Sequence, residues 1–215
     1  MPLKVNEIFY SIQGESSWAG RPCAFVRLTG CNLRCIYCDT QYAYEEGTWL
    51  EIPEIVRQIS AFDCRLVEVT GGEPLLQEQT PALIRNLLDQ DFTVLLETNG
   101  SLDIGAVDAR CIRIMDVKCP SSGESERNLL ENLKILTPSD ELKFVIGSMQ
   151  DYEYAKFILS TFLPERSRLN PPLLSPVFGK IDTPTLAQWI LHDRLDVRLQ
   201  LQLHKLIWDP ERRGV

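Results

Sequence analysis

The amino-acid sequence predicts an α/β fold, an incomplete parallel (β/α) barrel of about six strands, from three observations. Short β-branched runs alternate with amphipathic helical stretches, the pattern of a parallel sheet with right-handed crossovers. Several of those runs end in polar loops, at Thr70, Thr98, Lys118 and Gly147, and the carboxyl ends of parallel strands are where ligand sites gather. At 215 residues the chain is shorter than the roughly 250 of a full eight-fold barrel, so an incomplete one fits better. A single domain over residues 1–215 is expected, because this length supports one sizeable core.

The elements follow in order. Strands are predicted over 5–12 and 24–28, the second running into Gly30 and a cluster of cysteines. Ile55, Val56, Ile59 and Phe62 recur at helical spacing after Pro53, a residue suited to a first turn. A strand over 66–70 ends in Gly71-Gly72-Glu73-Pro74, and the helix after it carries Leu83, Ile84, Leu87 and Leu88 on one side. Strands over 93–98 and 112–117, a helix over 128–136, a strand over 141–146 and a helix over 152–163 come next. A strand over 173–178, a helix over 184–191 and a last strand over 197–206 complete the series. The polar stretch 121–127 reads as a surface loop.

Composition excludes several classes of function. With 22 Lys and Arg against 30 Asp and Glu, the net charge of −8 repels phosphate backbones, and no basic block exceeds Arg212-Arg213. No direct nucleic-acid partner is expected. The longest stretch without Asp, Glu, Lys or Arg, 169–179, holds three prolines. A membrane-spanning helix needs about 20 apolar residues, so no membrane partner is expected either. Glu7 stands where a secretory signal would place its apolar run, which points to a cytoplasmic protein.

Of seven cysteines, Cys31, Cys35 and Cys38 crowd into one loop, while Cys23, Cys64, Cys111 and Cys119 are scattered and read as small buried apolar residues. The two histidines, His192 and His204, are too few for a His-rich zinc centre. Three thiolates spaced C-x3-C-x2-C can hold three irons of a cubane cluster and leave the fourth free to chelate a small molecule. A structural zinc site wants four ligands, usually in paired C-x2-C units, and no fourth Cys or His follows in this loop.

With Tyr37 just before its third cysteine, the loop resembles the radical S-adenosylmethionine superfamily. Gly71-Gly72-Glu73-Pro74 is similar to that superfamily's glycine-rich strand end, which receives the methionine amino group. Glycines permit close backbone approach, and a carbonyl or Glu73 can accept from an ammonium. The resemblance implies a [4Fe–4S] cluster on Cys31, Cys35 and Cys38 and S-adenosylmethionine chelated by the unique iron. It also implies an external one-electron reductant of flavodoxin or ferredoxin type.

A narrower resemblance lies in Phe9-Tyr10-Ser11-Ile12-Gln13-Gly14-Glu15-Ser16, Gly20, Phe25-Val26-Arg27-Leu28, Cys38-Asp39-Thr40, Glu97-Thr98-Asn99-Gly100, Lys143-Phe144-Val145 and Gln202-Leu203-His204-Lys205. These segments are similar to the 7-carboxy-7-deazaguanine synthase family across nearly the whole chain. The resemblance implies conversion of 6-carboxy-5,6,7,8-tetrahydropterin to 7-carboxy-7-deazaguanine with loss of ammonia, in queuosine-type 7-deazapurine biosynthesis, with magnesium required and a homodimer expected. It assigns Tyr37, Asp39, Gly71, Gly72, Glu73, Lys118, Cys119, Pro120, Lys143, Phe144 and Val145 to the cofactor. Ile12, Gln13, Gly14, Glu15, Arg27, Thr70 and His204 go to the substrate, and Thr40 to magnesium. The chemistry agrees: the Gln13 amide suits a guanine-like edge, Arg27 offers a fork for a carboxylate, and Thr40 a hard oxygen. Ser16 departs from the pattern, which commonly has glycine there. Two other readings are a glycyl-radical activase, which wants an open groove for a peptide, and a non-catalytic metal or iron–sulfur module, which does not need Gly71-Gly72-Glu73-Pro74.

Overall fold

Nine strands join in one sheet in the computed structural model, which describes residues 1–163, 170–210 and 212–215. In chain order they are β1 (Leu3–Ile12), β2 (Pro22–Leu28), β3 (Thr48–Leu50), β4 (Leu66–Gly71), β5 (Thr93–Thr98), β6 (Ile112–Val117), β7 (Glu141–Ile146), β8 (Leu173–Pro176) and β9 (Arg198–Leu199). Their spatial order is β3-β1-β2-β4-β5-β6-β7-β8-β9. From β2 to β9 every pairing is parallel, whereas β1 pairs antiparallel with both β2 and β3. The sheet therefore holds six full parallel strands, a two-residue seventh and an antiparallel edge, and it does not close.

Five α-helices accompany the sheet: α1 (Ile52–Ser60), α2 (Thr80–Leu88), α3 (Met149–Phe162), α4 (Thr183–Asp193) and α5 (His204–Ile207). Local chemistry sets their starts. Pro53 lies in the first turn of α1, Ser148 accepts from the Asp151 amide ahead of α3, and the Asp182 carboxylate accepts from the Thr185 amide at 2.8 Å ahead of α4. No helix is long and apolar enough to cross a membrane among the described residues. The charge-free stretch 169–179 begins at Leu169, which lies outside them.

Three expectations change. The segment predicted as a helix over 128–136 is a 3-10 helix, Leu130–Ile135. Asn128 binds both the amide and the carbonyl of Lys118 at 2.9 Å, and Asn132 donates to the carbonyls of Gly100 and Leu102 at 3.1 and 2.7 Å, so two side chains pin this turn to neighbouring loops. The strand predicted over 197–206 stops at Leu199: the Gln200 amide still donates to Leu174 at 2.9 Å, but Pro176 of β8 has no N–H to continue the ladder. Beyond it the chain turns inward, with the Leu203 amide donating to Gly14 at 2.9 Å, and forms α5. The short β3 was not foreseen.

Alternation divides each strand between two environments. Val26, Val69, Leu96 and Val94 face outward onto Ile55, Ile59, Leu83 and Leu87 of α1 and α2. Met115, Leu142, Phe144 and Leu174 pack against Tyr152, Ala155, Ile158 and Leu186 of α3 and α4. The inner face has an apolar layer of Phe9, Cys23, Phe25, Leu66, Leu95 and Ile114, above which the residues become polar.

The rim is fixed by backbone contact. A Cβ on Gly71 would stand 2.4 Å from the Leu28 carbonyl oxygen, and one on Gly72 would stand 2.3 Å from the Gly30 oxygen and 2.6 Å from Cys31 Cβ. Because the atoms met are backbone, Gly71→Ala is expected to lower the unfolding free energy by roughly 1–3 kcal/mol. Urea denaturation checks this, and an unchanged midpoint would show that β2 and β4 do not need so close an approach.

Candidate functional site

Cys31, Cys35 and Cys38 follow β2 and open onto a cavity of about 580 Å³ at the carboxyl ends of the parallel strands. Their loop is tied down on both sides. The Glu73 amide donates to the Gly30 carbonyl at 2.8 Å, the Ile36 amide to Ser122 at 2.9 Å, and the Arg34 amide to the Glu124 carboxylate at 2.7 Å. All three thiols are free, and Cys31 Sγ accepts from the Leu33 amide at 3.5 Å and from Asn99 Nδ2 at 3.8 Å. Burial pushes the Cys35 thiol up to about 11, and Cys31 moves the same way, so either must release a proton to bind metal.

Among the described residues no three His, Cys, Asp or Glu side chains converge as ligands of a single metal ion. A cubane cluster asks for one iron per thiolate instead, and the cavity receives three thiols and none of Cys23, Cys64, Cys111 or Cys119. The donor set fits a [4Fe–4S] cluster with one iron left open. Cys23, Cys111 and Cys119 are buried as expected, while Cys64 is half-buried.

The wall beside the cysteines carries polar atoms lacking a protein partner. Lys118 donates to Asp116 Oδ2 at 2.7 Å, but Asp116 Oδ1 is buried without a hydrogen bond among the described residues, as is the Tyr37 hydroxyl. Both residues line the cavity, so a bound ligand is what would satisfy them. Thr40 donates its hydroxyl to Asp39 at 3.0 Å, which leaves its oxygen lone pairs for a hard cation. Burial alone would raise the Asp39 carboxyl, but the Lys205 ammonium, 2.5 Å away, and the Thr40 hydroxyl hold it down to about 2.

Deeper in, the loop after β1 and the chain after β9 bring their own side chains to the sheet. Lys143 of β7 lies between Glu15, at 2.8 Å, and Glu97 of β5. Gln202 donates to Glu15 at 2.9 Å. Burial would raise the Glu15 carboxyl, yet Lys143 and Gln202 bring it down to about 2, while burial keeps Glu97 raised. The Gln13 amide is oriented at both ends, accepting from the Glu15 amide at 3.1 Å and donating to Glu68. Arg27 gives its Nε to Glu7 at 2.7 Å, so its terminal nitrogens remain for a ligand at the wall. A Cβ on Gly14 would fall 2.1 Å from His204 Nδ1, and burial lowers the His204 pKa, favouring the neutral imidazole.

Ser16 adopts a left-handed φ of 67°, which explains why glycine suits this position. Its hydroxyl accepts from the Trp18 amide at 3.2 Å and its own amide donates to Gln200 at 2.8 Å, which offsets the strain.

The side chains of four residues assigned to the cofactor stand off the cavity. The Glu73 carboxylate is fully buried and turned from the cavity, accepting from Thr98, the Asn99 amide at 2.7 Å and the Leu75 amide at 2.9 Å. Phe144 points outward into the helix-facing core, because alternation along β7 sends Lys143 and Val145 inward. Cys119 is buried in the same core, and Pro120 starts a 3-10 turn off the cavity wall. Ile12, Gln13, Gly14, Glu15, Arg27, Tyr37, Asp39, Thr40, Thr70, Gly71, Gly72, Lys118, Lys143, Val145 and His204 all line the cavity with the three cysteines. Glu68 and Asp116 were missed, although Glu68 is the one charge of β4, on the face that carries Thr70, and Asp116 shares its face with Lys118.

Replacing Lys143 by Met would leave Glu15 and Glu97 buried without a cation, and the expected loss is roughly 3–5 kcal/mol at pH 7. The loss should shrink at pH 5. Burial raises the Glu97 carboxyl, so of the two it is the first to be neutralised as pH falls, whereas the stability contributed by Glu15 disappears only as pH falls from its unfolded value of 4.5 towards about 2. Urea denaturation at the two pH values checks this, and an equal penalty at both would argue against the pairing.

The signature of the Radical SAM superfamily matches residues 25–117. A curated relative from Chlorobaculum tepidum, named 7-carboxy-7-deazaguanine synthase, is 50% identical over 100% of this chain and 98% of its own length. One of the same name from Koribacter versatilis is 43% identical over 99% of this chain and 100% of its own. Among solved structures, QueE from Escherichia coli shares the fold with a TM-score of 0.78 at 23% identity over 95% of each chain. Streptococcus suis SuiB bound to precursor peptide SuiA shares it at 0.58, with 15% identity over 80% of this chain and 46% of that one.

Proposed function

The chain belongs to the 7-carboxy-7-deazaguanine synthase family of the radical SAM superfamily, and from that premise we propose that it converts 6-carboxy-5,6,7,8-tetrahydropterin to 7-carboxy-7-deazaguanine with loss of ammonia. It is a radical S-adenosylmethionine lyase of deazapurine biosynthesis, dependent on a [4Fe–4S] cluster, S-adenosylmethionine and magnesium, and acting on a small molecule with an external reductant. The observation that carries the residue assignments is the sharing of one cavity by the three cysteines, the oriented Gln13 amide, Arg27 and Thr40. When bound, the cluster and S-adenosylmethionine supply a carbon radical able to abstract hydrogen.

The chain's own side chains do the rest. Cys31, Cys35 and Cys38 hold the cluster, and the backbone of Gly71 and Gly72 accepts the methionine amino group. Glu73 gathers the Leu75 and Asn99 amides beside that backbone, Cys119, Pro120 and Phe144 complete the cofactor set that the family likeness assigns, and Tyr37, Asp116 and Lys118 offer polar contacts along the wall. Gln13 meets the guanine-like edge with its amide already oriented, and Arg27 takes the substrate carboxylate. Thr40 gives magnesium a neutral oxygen while Asp39 and Lys205 hold that hydroxyl in direction. Thr70, Glu15 and His204 close the pocket around the substrate. A single domain over 1–215, a homodimer and a donor of flavodoxin or ferredoxin type complete the reading, together with a cytoplasmic location.

The decisive experiment is anaerobic turnover of reconstituted protein with reductant, S-adenosylmethionine, magnesium and the carboxylated tetrahydropterin. Cys35→Ala is expected to lower the iron content and abolish 5′-deoxyadenosine formation. Full activity in that variant would overturn the cluster assignment.

Thr40→Ala should keep iron and S-adenosylmethionine binding while weakening the response of turnover to magnesium, since water can replace one neutral ligand. Arg27→Ala should instead raise the substrate KM. Titration of turnover against magnesium, with S-adenosylmethionine binding measured separately, distinguishes the two. An unchanged magnesium response in Thr40→Ala would refute its role.

A further inference from the structure

Glu68 lies on β4 between Val67 and Val69, which belong to the core beneath the helices, yet its own side chain faces the cavity with only 4% of the residue exposed. Its Oε2 accepts from Gln13 Nε2. Among the described residues no hydrogen bond reaches its other oxygen, Oε1, and the residue lines the cavity. Facing it are Glu97 on β5, Glu15 on the loop after β1, Lys143 on β7 and the Cys23 thiol on β2. The only cation in that group, Lys143, is already shared by Glu15 and Glu97. A third carboxylate there would have no counter-charge, and burial together with Glu97 raises the Glu68 pKa to about 8. At neutral pH the group is an acid with one oxygen oriented by Gln13 and the other open to a ligand.

We propose that Glu68 is a further catalytic residue, whose free oxygen touches the bound heterocycle and gives a proton to the nitrogen that departs as ammonia. The inference rests on the reaction assigned above. Substrate and product differ by the elements of ammonia, with no net oxidation or reduction. The leaving nitrogen keeps the electron pair of its breaking carbon–nitrogen bond and therefore needs a proton. The Glu68 O–H bond breaks to supply it. The carboxylate left behind then takes a proton that the aromatising ring releases, so Glu68 ends the turnover protonated and no outside acid or oxidant is consumed. Gln13 thus has two tasks, meeting the substrate edge and holding the acid in direction.

Glu68→Gln tests this, because it keeps the shape and an acceptor oxygen for Gln13 but has no acidic proton. With reconstituted protein, product formation is expected to fall ~100-fold, while iron content and 5′-deoxyadenosine formation persist and the KM for the pterin changes little. Wild-type turnover should decline as pH passes about 8, and this alkaline limb should vanish in the variant. Glu68→Asp, an acid drawn back by one methylene, should recover part of the rate and restore the limb.

Thermal unfolding gives a readout independent of turnover. A carboxyl with a raised folded pKa weakens the fold progressively from its unfolded value of 4.5 up to about 8, so the Gln variant should gain on wild type as pH rises across that range. A Gln variant that forms product at the wild-type rate with the same alkaline limb overturns the proposal, as does one that loses 5′-deoxyadenosine formation in equal measure. If the wild-type protein itself does not turn the pterin over, the reading of the reaction fails first and this inference with it.

Discussion

Charge on the concave face of the sheet governs much of the rest of this molecule. Glu68, Glu97, Asp116 and Lys143 project inward from four neighbouring strands, where a barrel of this size would ordinarily be filled with apolar side chains. Buried ionisable groups must be paired, hydrogen-bonded or neutralised. The strands alone meet that demand only in part, through Lys143 with Glu97 and Lys118 with Asp116. The remaining partners, Gln13, Glu15, Gln200 and Gln202, come from the loop after β1 and the chain after β9. The open sheet is thus bridged across its inner side by segments outside the parallel repeat, and three of the bridging residues, Gln13, Glu15 and Gln202, are also pocket residues. Stability and recognition draw on the same contacts.

The opposite constraint operates at the rim, where the requirement is absence of side chains. Gly71 and Gly72 let the end of β4 pass against the Leu28 and Gly30 carbonyls. Glu73 then locks that passage by collecting amides from Leu75 and Asn99 and the hydroxyl of Thr98. Asn99, brought forward by the same lock, donates to Cys31 Sγ and to Asn32 at 3.8 and 3.2 Å. One buried carboxylate therefore ties the ends of β4 and β5 together and, through Asn99, to the cysteine loop without touching the cavity. A glutamate in that motif reads in sequence like a ligand contact, whereas here its carboxylate is spent on the loop itself.

Most of the parallel sheet was legible because its strands are short, β-rich and punctuated: β5, β6 and β7 have the predicted bounds. The failures share a physical origin in tertiary contacts that local pattern does not contain. Val197, Leu199, Leu201 and Leu203 alternate like a strand, but β8 is four residues long and its Pro176 has no N–H to continue the ladder, so the chain turns to meet Gly14. The helical period after Asn128 was overridden by two asparagine side chains bound to distant backbone. In the site, the cysteines stood out by spacing, Gly71 and Gly72 by likeness to the superfamily's glycine-rich strand end, and Gln13, Arg27, Thr40 and His204 by resemblance alone. The Phe144 side chain lies on the outer face because a motif names consecutive residues, whereas a strand delivers only alternate side chains to a cavity.

The distribution of these residues along the chain separates what is general from what is particular. The superfamily signature spans 25–117 and contains the three cysteines, Gly71, Gly72, Asn99 and Asp116. Gln13, Glu15, Lys143, Gln202 and His204 lie outside it and build the deep end of the cavity. A fold shared with a protein seen bound to a peptide cannot by itself choose a small heterocycle as substrate. The deep end can, because each polar group there is already oriented by a neighbour before a ligand arrives. Gln13 is held by the Glu15 amide and Glu68, Glu15 by Lys143 and Gln202, and His204 against Gly14. Orientation of this kind lowers the entropy lost on binding a rigid, flat, polar molecule and penalises any ligand that leaves those groups unpaired. Specificity in this chain therefore resides in the segments that close the barrel, and radical chemistry in the rim that the barrel presents.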